Sequence, residues 1–324
     1  MNTPRTPLAP VIRYLQLTGV ALSLLIPLAL SAQSRPGNAP RAFPPMDLSG
    51  VTAHRNLAYV EGGGDRQSLD LYLPDNPDGA ALPLIIWIHG GGWQNGSKDG
   101  CPPLRAGYVG HGYAVASLNY RLSQDAPFPA QIQDCQTAIR WLRTHAKEYH
   151  LDPERFGVWG SSAGGHLAAL VGTSGYDPAL IKGEPSGASS RVQAVCDFFG
   201  PTDFHAFVTT PRYESHAKAD APEGLLLGGP VLDNPEKAAR ANPITYVTPD
   251  DPPFLIVHGD ADPVVPINQS QLLLAALKKA GVRAELHIVE GGGHGRQGFN
   301  TTEVENQVRA FFDALLKPKQ TVVN

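Results

Sequence analysis

Residues 155–166 read Arg155-Phe156-Gly157-Val158-Trp159-Gly160-Ser161-Ser162-Ala163-Gly164-Gly165-His166, and the fold follows from how they are read. The apolar run 155–159 predicts a strand and 166–171 a helix, so Gly160 to Gly165 makes a sharp turn between them. Such a turn crowds the backbone against itself. Gly160 and Gly164, two residues either side of Ser162, remove the side chains that would collide. Ser162 is then thrust above the sheet edge as in a nucleophile elbow, and the helix that starts there aims its free N–H groups and dipole at developing negative charge. Alone, Gly-x-Ser-x-Gly also fits an ordinary turn; its place between strand and helix gives it weight. Ser161 does not qualify, because the residues two away from it are Trp159 and Ala163.

Working outward, the continuous apolar runs 84–88, 113–119, 192–198 and 254–257 read as strands buried on both faces, as in a parallel sheet. Residues 56–60 and 68–73, joined by the turn-forming Gly62-Gly63-Gly64-Asp65, predict an opening hairpin. Residues 129–145, 269–280 and 304–316 carry apolar side chains at spacings of three and four, the helical period. Strand and helix alternate. The expected class is α/β, a mostly parallel, doubly wound sheet with an initial antiparallel hairpin, whose reactive residues belong beyond the carboxyl ends of the strands.

Residues 175–250 break this rhythm with nine prolines and one core-like strand, 192–198. The stretch reads either as an inserted cap or lid that shapes a pocket, with Phe204, Phe207 and Leu225-Leu226-Leu227 as wall candidates, or as an irregular connection.

Composition excludes several classes. With 26 Lys plus Arg against 30 Asp plus Glu among 324 residues, the net charge is −4, so no basic excess points to nucleic acid or anionic membrane. An apolar share of 42% supplies a large core and excludes disorder of the whole chain. At the start, Arg5 and Arg13 without an acid, an apolar run over 14–30 and Ala29-Leu30-Ser31-Ala32 predict a signal peptide over residues 1–32. An uncleaved anchor or a tail are the alternatives. Residues 33–49 follow as a Pro-rich leader, 50–318 as the main domain and 319–324 as a tail. A secreted or periplasmic location is expected, with no stable membrane association after cleavage. Cys101 and Cys135 could form a disulfide or stay as thiols, and Cys196 makes the count odd.

Further pieces of chemistry follow other strands. His89-Gly90-Gly91-Gly92-Trp93 comes after 84–88, and three glycines there expose N–H groups to an approaching carbonyl. Gly91, Gly92 and Ala163 are the expected oxyanion donors. His89 reads as a loop tie, and Trp93 either lines the pocket or packs. A serine hydroxyl needs a base and an acid that orients it. His258-Gly259 ends a strand, with Asp260 and Asp262 after it; Asp262 is the expected acid and Asp260 a turn residue. His294, in Glu290-Gly291-Gly292-Gly293-His294-Gly295 after the run 283–289, is the expected base. The other histidines, His258 and His166 among them, read as loop, helix or core residues. No motif calls for a metal or a dinucleotide, so no cofactor is expected.

These residues resemble the α/β-hydrolase superfamily, and more narrowly carboxylesterases of the hormone-sensitive-lipase-like and bacterial feruloyl-esterase-like groups. The resemblance runs over about residues 50–318 and also takes in Asn119-Tyr120-Arg121-Leu122, Phe199-Gly200-Pro201-Thr202-Asp203 and His258-Gly259-x-x-Asp262-x-x-Val265-Pro266. Ser161, where the hormone-sensitive-lipase-like group usually has Asp, favours the feruloyl-esterase-like group. It implies an α/β-hydrolase fold and cofactor-free hydrolysis of small-molecule or polysaccharide-linked carboxylic esters through an acyl-enzyme. An amidase or peptidase on the same triad is the alternative activity; a hydrolase fold that binds without catalysis is the alternative class.

Overall fold

Why the strands sit where they do is visible in their side chains. In the computed structural model, which describes residues 48–75, 79–175, 187–317, Met1 and Leu180, Leu84, Ile86 and Ile88 point into one core cluster while Ile85 and Trp87 point into another. The strand between them, β3 (Leu82–Ile88), is buried along its whole length. Burial on both faces explains a continuous apolar run where a half-exposed strand would alternate.

The chain enters through β1 (Val51–Ala58) and β2 (Ser68–Pro74), an antiparallel pair. After β3 come a one-turn helix α1 (Pro102–Arg105), β4 (Ala114–Leu118) and α2 (Ala130–Thr144). Then β5 (Leu151–Ser161), α3 (Ala163–Thr173) and β6 (Ala194–Phe198) follow, with three short helices α4 (Phe204–Val208), α5 (Pro222–Leu227) and α6 (Pro235–Ala241). The chain closes with β7 (Phe254–Gly259), α7 (Asn268–Lys279), β8 (Ala284–Val289) and α8 (Thr302–Leu316). The strand order is β1-β2-β4-β3-β5-β6-β7-β8. Only the β1–β2 and β2–β4 pairs are antiparallel. This is the mostly parallel, doubly wound sheet with an antiparallel start that the sequence and its resemblance implied. The chain leaves β3 for one side of the sheet and returns on its other side as β5, so the carboxyl ends of β3 and β5 flank a switch point, where α/β sheets form their clefts.

The structure departs from the sequence reading in instructive places. The first strand begins at Val51, not at 56, because an edge strand needs no apolar run: most of its residues are only partly covered or exposed. The Cys101–Cys135 disulfide is not formed. Cys101 lies in one core cluster and Cys135 in the other, on opposite faces of the sheet, and all three cysteines are free and buried. Where described, the stretch 175–250 is β6 followed by short helical turns. The proposed signal peptide falls outside the described residues apart from Met1, the leader apart from residues 48–49, and the tail entirely. Among the described residues no helix is long and apolar enough to cross a membrane.

Candidate active site

The turn after β5 has the backbone its glycines require. Ser162 has φ 56° and ψ −123°, a conformation L-residues rarely adopt. A Cβ on Gly160 would lie 2.0 Å from the Gly164 carbonyl oxygen, and one on Gly164 2.1 Å from that of Ile88. The Ser162 N–H donates to Phe198 O at 2.8 Å, fixing the turn to β6.

Three residues far apart in the chain meet here. Ser162 Oγ lies 2.9 Å from Nε2 of His294, and Nδ1 of His294 lies 2.7 Å from Oδ2 of Asp262. A carboxylate only accepts, so the imidazole proton is on Nδ1 and Nε2 is left to accept from the serine hydroxyl. Asp262 Oδ1 accepts from the N–H groups of Val264 at 2.7 Å and Val265 at 3.0 Å. Burial raises this carboxyl's pKa, but hydrogen bonds from His258 and His294 outweigh it and hold the group well below the usual carboxylate range. Asp260 lies outside this relay, but not as the turn residue expected: its Oδ1 accepts from Gly291 N–H at 2.7 Å, in the loop that carries His294. Ser161 borders the cavity, yet the imidazole meets Ser162.

A cavity of about 610 Å³ opens over Ser162 and His294, bordered by Gly91, Gly92 and Ala163. None of these three N–H groups has an acceptor among the described residues. Gly91 and Gly92 have φ of 113° and 60°, and a Cβ on Gly91 would strike the Asn95 carbonyl oxygen at 2.3 Å. Free N–H groups converging beside a serine are what an oxyanion needs.

The glycine loop is held by neighbours. His89 donates from Nδ1 to Gly90 O at 2.7 Å and stacks on Tyr120, whose hydroxyl donates to His89 O at 2.9 Å. Burial lowers its pKa to about 4, which fits a neutral loop tie. Arg121 pairs with Asp134 through two contacts of 2.7 Å, anchoring the Asn-Tyr-Arg segment to α2. Trp93 both borders the cavity and packs: it is 1% exposed, and its indole donates to His166.

None of the five wall candidates from residues 204–227 borders the cavity. Phe204 packs on Trp93 and His166, and Phe207 lies behind His216. Leu226 and Leu227 are buried in the core and Leu225 faces solvent. Short helical turns bury their apolar side chains inward, and this segment instead offers the cavity His216, Pro222 and Glu223. Sequence reasoning also missed His258. Its Nε2 faces Asp262 Oδ2 at 3.4 Å and Val265 O at 3.0 Å, and its Nδ1 faces Ser270 Oγ at 2.6 Å. A polar residue in the buried strand 254–258, four before the acid, was the available signal. Tyr213, between α4 and α5, donates its hydroxyl to the Asp262 carbonyl.

Known proteins resemble this chain in sequence as well as in fold. A sequence profile of the BD-FAE family matches residues 69–277, and one described as TAP-like protein matches 233–323. Esterase LipQ of Mycobacterium tuberculosis is 37% identical over 221 residues, 68% of this chain; the chain spans about half of that relative's length, 51%. A solved truncated form of a carbohydrate esterase from gut microbiota superposes with TM-score 0.71 at 35% identity, covering 81% of this chain and 95% of that one. An acetyl ester-xyloside bifunctional hydrolase from Caldicellulosiruptor lactoaceticus gives TM-score 0.60 at 29% identity, over 76% and 85% of the two chains. With that profile covering well over half of its length, the chain belongs to the BD-FAE family of α/β-hydrolases.

Proposed function

We propose that the protein is an exported serine carboxylesterase working through an acyl-enzyme. The observation that carries this reading is the unbroken relay from Ser162 Oγ through His294 to Asp262, with contacts of 2.9 and 2.7 Å. In the first step Ser162 Oγ attacks the ester carbonyl carbon as His294 Nε2 takes its proton; Asp262 holds the resulting imidazolium. The tetrahedral oxyanion receives hydrogen bonds from the N–H groups of Gly91, Gly92 and Ala163. Collapse expels the alcohol, protonated from Nε2, and leaves the acyl group on Ser162. Water, deprotonated by the same nitrogen, then releases the acid. Similarity to LipQ and to the carbohydrate esterase supports ester substrates. Export is supported by the basic, then apolar, then small-residue pattern of residues 1–32.

The test is initial rates of the mature protein and of Ser162→Ala on acetyl, butyryl and octanoyl nitrophenyl esters, with a matched anilide. The parent should hydrolyse esters and the variant should lose at least roughly a thousandfold in kcat. Equal rates for the two proteins would remove the assignment, and faster anilide than ester turnover would make the enzyme an amidase.

A further inference from the structure

One part of the cavity wall differs in chemistry from the rest. Phe199, Pro201, Val264 and Val265 give an apolar surface near the serine, whereas the cap contributes His216 and Glu223. Glu223 is 3% exposed, and its Oε2 lies 2.9 Å from Nδ1 of His216. The pair is braced from two sides. The His216 ring lies 4.7 Å from that of Phe207, and Pro222, next to Glu223, comes within 3.3 Å of where a Cβ on Gly92 would sit. The cap thus brings this pair against the glycine loop that borders the reacting carbon.

A carboxylate in such a place is costly unless its oxygens are satisfied. Only one is. Among the described residues Glu223 Oε1 and His216 Nε2 have no hydrogen-bond partner, and both residues border the cavity. The hydrogen bond that His216 Nδ1–H donates to Glu223 raises the His216 pKa against the opposing effect of burial and favours the imidazolium, whose Nε2–H donates while Glu223 Oε1 accepts. A hydroxyl both donates and accepts, and so matches this pairing. A plain alkyl group gives these atoms nothing, and an anionic group would meet the Glu223 charge.

We propose that His216 and Glu223 form the specificity element of the site: they bind a hydroxyl on the alcohol half of the ester, selecting sugar or polyol leaving groups over alkyl ones and disfavouring carboxylated ones. This rests on the esterase reading above and adds to it the residues that choose the alcohol.

The experiment compares kcat/KM for glycerol 1-monoacetate and propyl acetate, which differ by two hydroxyls, in the parent, in Glu223→Gln and in the double variant His216→Phe/Glu223→Gln. Phenylalanine keeps the stack on Phe207. The parent should prefer the hydroxylated ester by at least about tenfold, and the double variant should bring the ratio to roughly one, with Glu223→Gln between them. A ratio taken within one protein does not depend on the fraction folded. A parent ratio near one, a preference that survives in both variants, or loss of both esters in equal proportion would each overturn the assignment. An active parent with an unchanged ratio overturns this inference alone; a parent inert on both esters overturns the esterase reading and this inference with it.

Discussion

The indole N–H of Trp93 donates to Nδ1 of His166 at 3.2 Å, and the other nitrogen of that imidazole donates to Ala241 O at 2.7 Å. One buried ring therefore joins the glycine loop, the helix that follows the nucleophile and the end of α6. His166→Phe keeps the volume but leaves the Trp93 N–H and the Ala241 carbonyl without partners. Each buried orphan costs about 1–3 kcal/mol, so urea unfolding should show a loss of roughly 2–5 kcal/mol. An unchanged midpoint would mean that the ring only fills space.

The strained backbone at Ser162 makes an unusual prediction. Its φ of 56° and ψ of −123° suit glycine, and holding another residue there costs about 1–3 kcal/mol. Ser162→Gly should therefore be more stable than Ser162→Ala by about 1 kcal/mol, although glycine normally destabilises. Both variants should be inactive. Thermal unfolding would show the glycine variant melting about 2 °C higher; the opposite order would show that the turn is relaxed.

His258 should act through Asp262 and not on substrate. Its Nε2 faces two acceptors, Asp262 Oδ2 and Val265 O, and so carries a proton. His258→Phe removes that donor and loosens the acid that orients His294. We expect kcat to fall about 10- to 100-fold with KM nearly unchanged. Ser270→Ala spares the Nε2 contacts and should have the smaller effect. Full kcat in His258→Phe would confine this residue to packing.

Stability should fall with acid before the enzyme unfolds outright. Burial lowers His89 and His166 to about 4 from 6.5, so as pH drops below 6.5 the unfolded chain takes up two protons before the folded one does. Stability from these groups is present above 6.5 and lost as pH falls towards 4. Asp197 opposes them: burial raises its carboxyl to about 6 from 3.8, so in that window the folded chain takes up one proton first. The net is about one proton, or about 1.4 kcal/mol lost per pH unit between about pH 6 and 4.5. Urea midpoints across that range measure the slope, and Asp197→Asn should make it about twice as steep. A flat profile in the parent would contradict the buried, neutral histidines.

The parts of this protein legible in its sequence are those governed by a few adjacent residues. Steric crowding in a strand-to-helix turn demands Gly160 and Gly164 around Ser162, and that demand is local. Strands buried on both faces must be apolar throughout, which is why β3 and β7 could be placed before any contact was known. The order Ser162, Asp262, His294, each after a strand, followed from the same local signals.

What only the tertiary structure decided depends on which side chains strand order and the packing of the short helices bring together. His258 reads as a core residue until the loop after β7 folds back and sets Asp262 3.4 Å from it. Cys101 and Cys135 look like partners until the sheet passes between them. Between β6 and β7, the large apolar side chains Phe204 and Phe207 were the natural wall candidates, yet burial draws such groups away from an open cavity and leaves its surface to His216 and Glu223. Turn geometry is set by forces acting over a few bonds; the composition of a pocket wall is set by competition among all surfaces for the core, and that competition is settled only when the chain closes on itself.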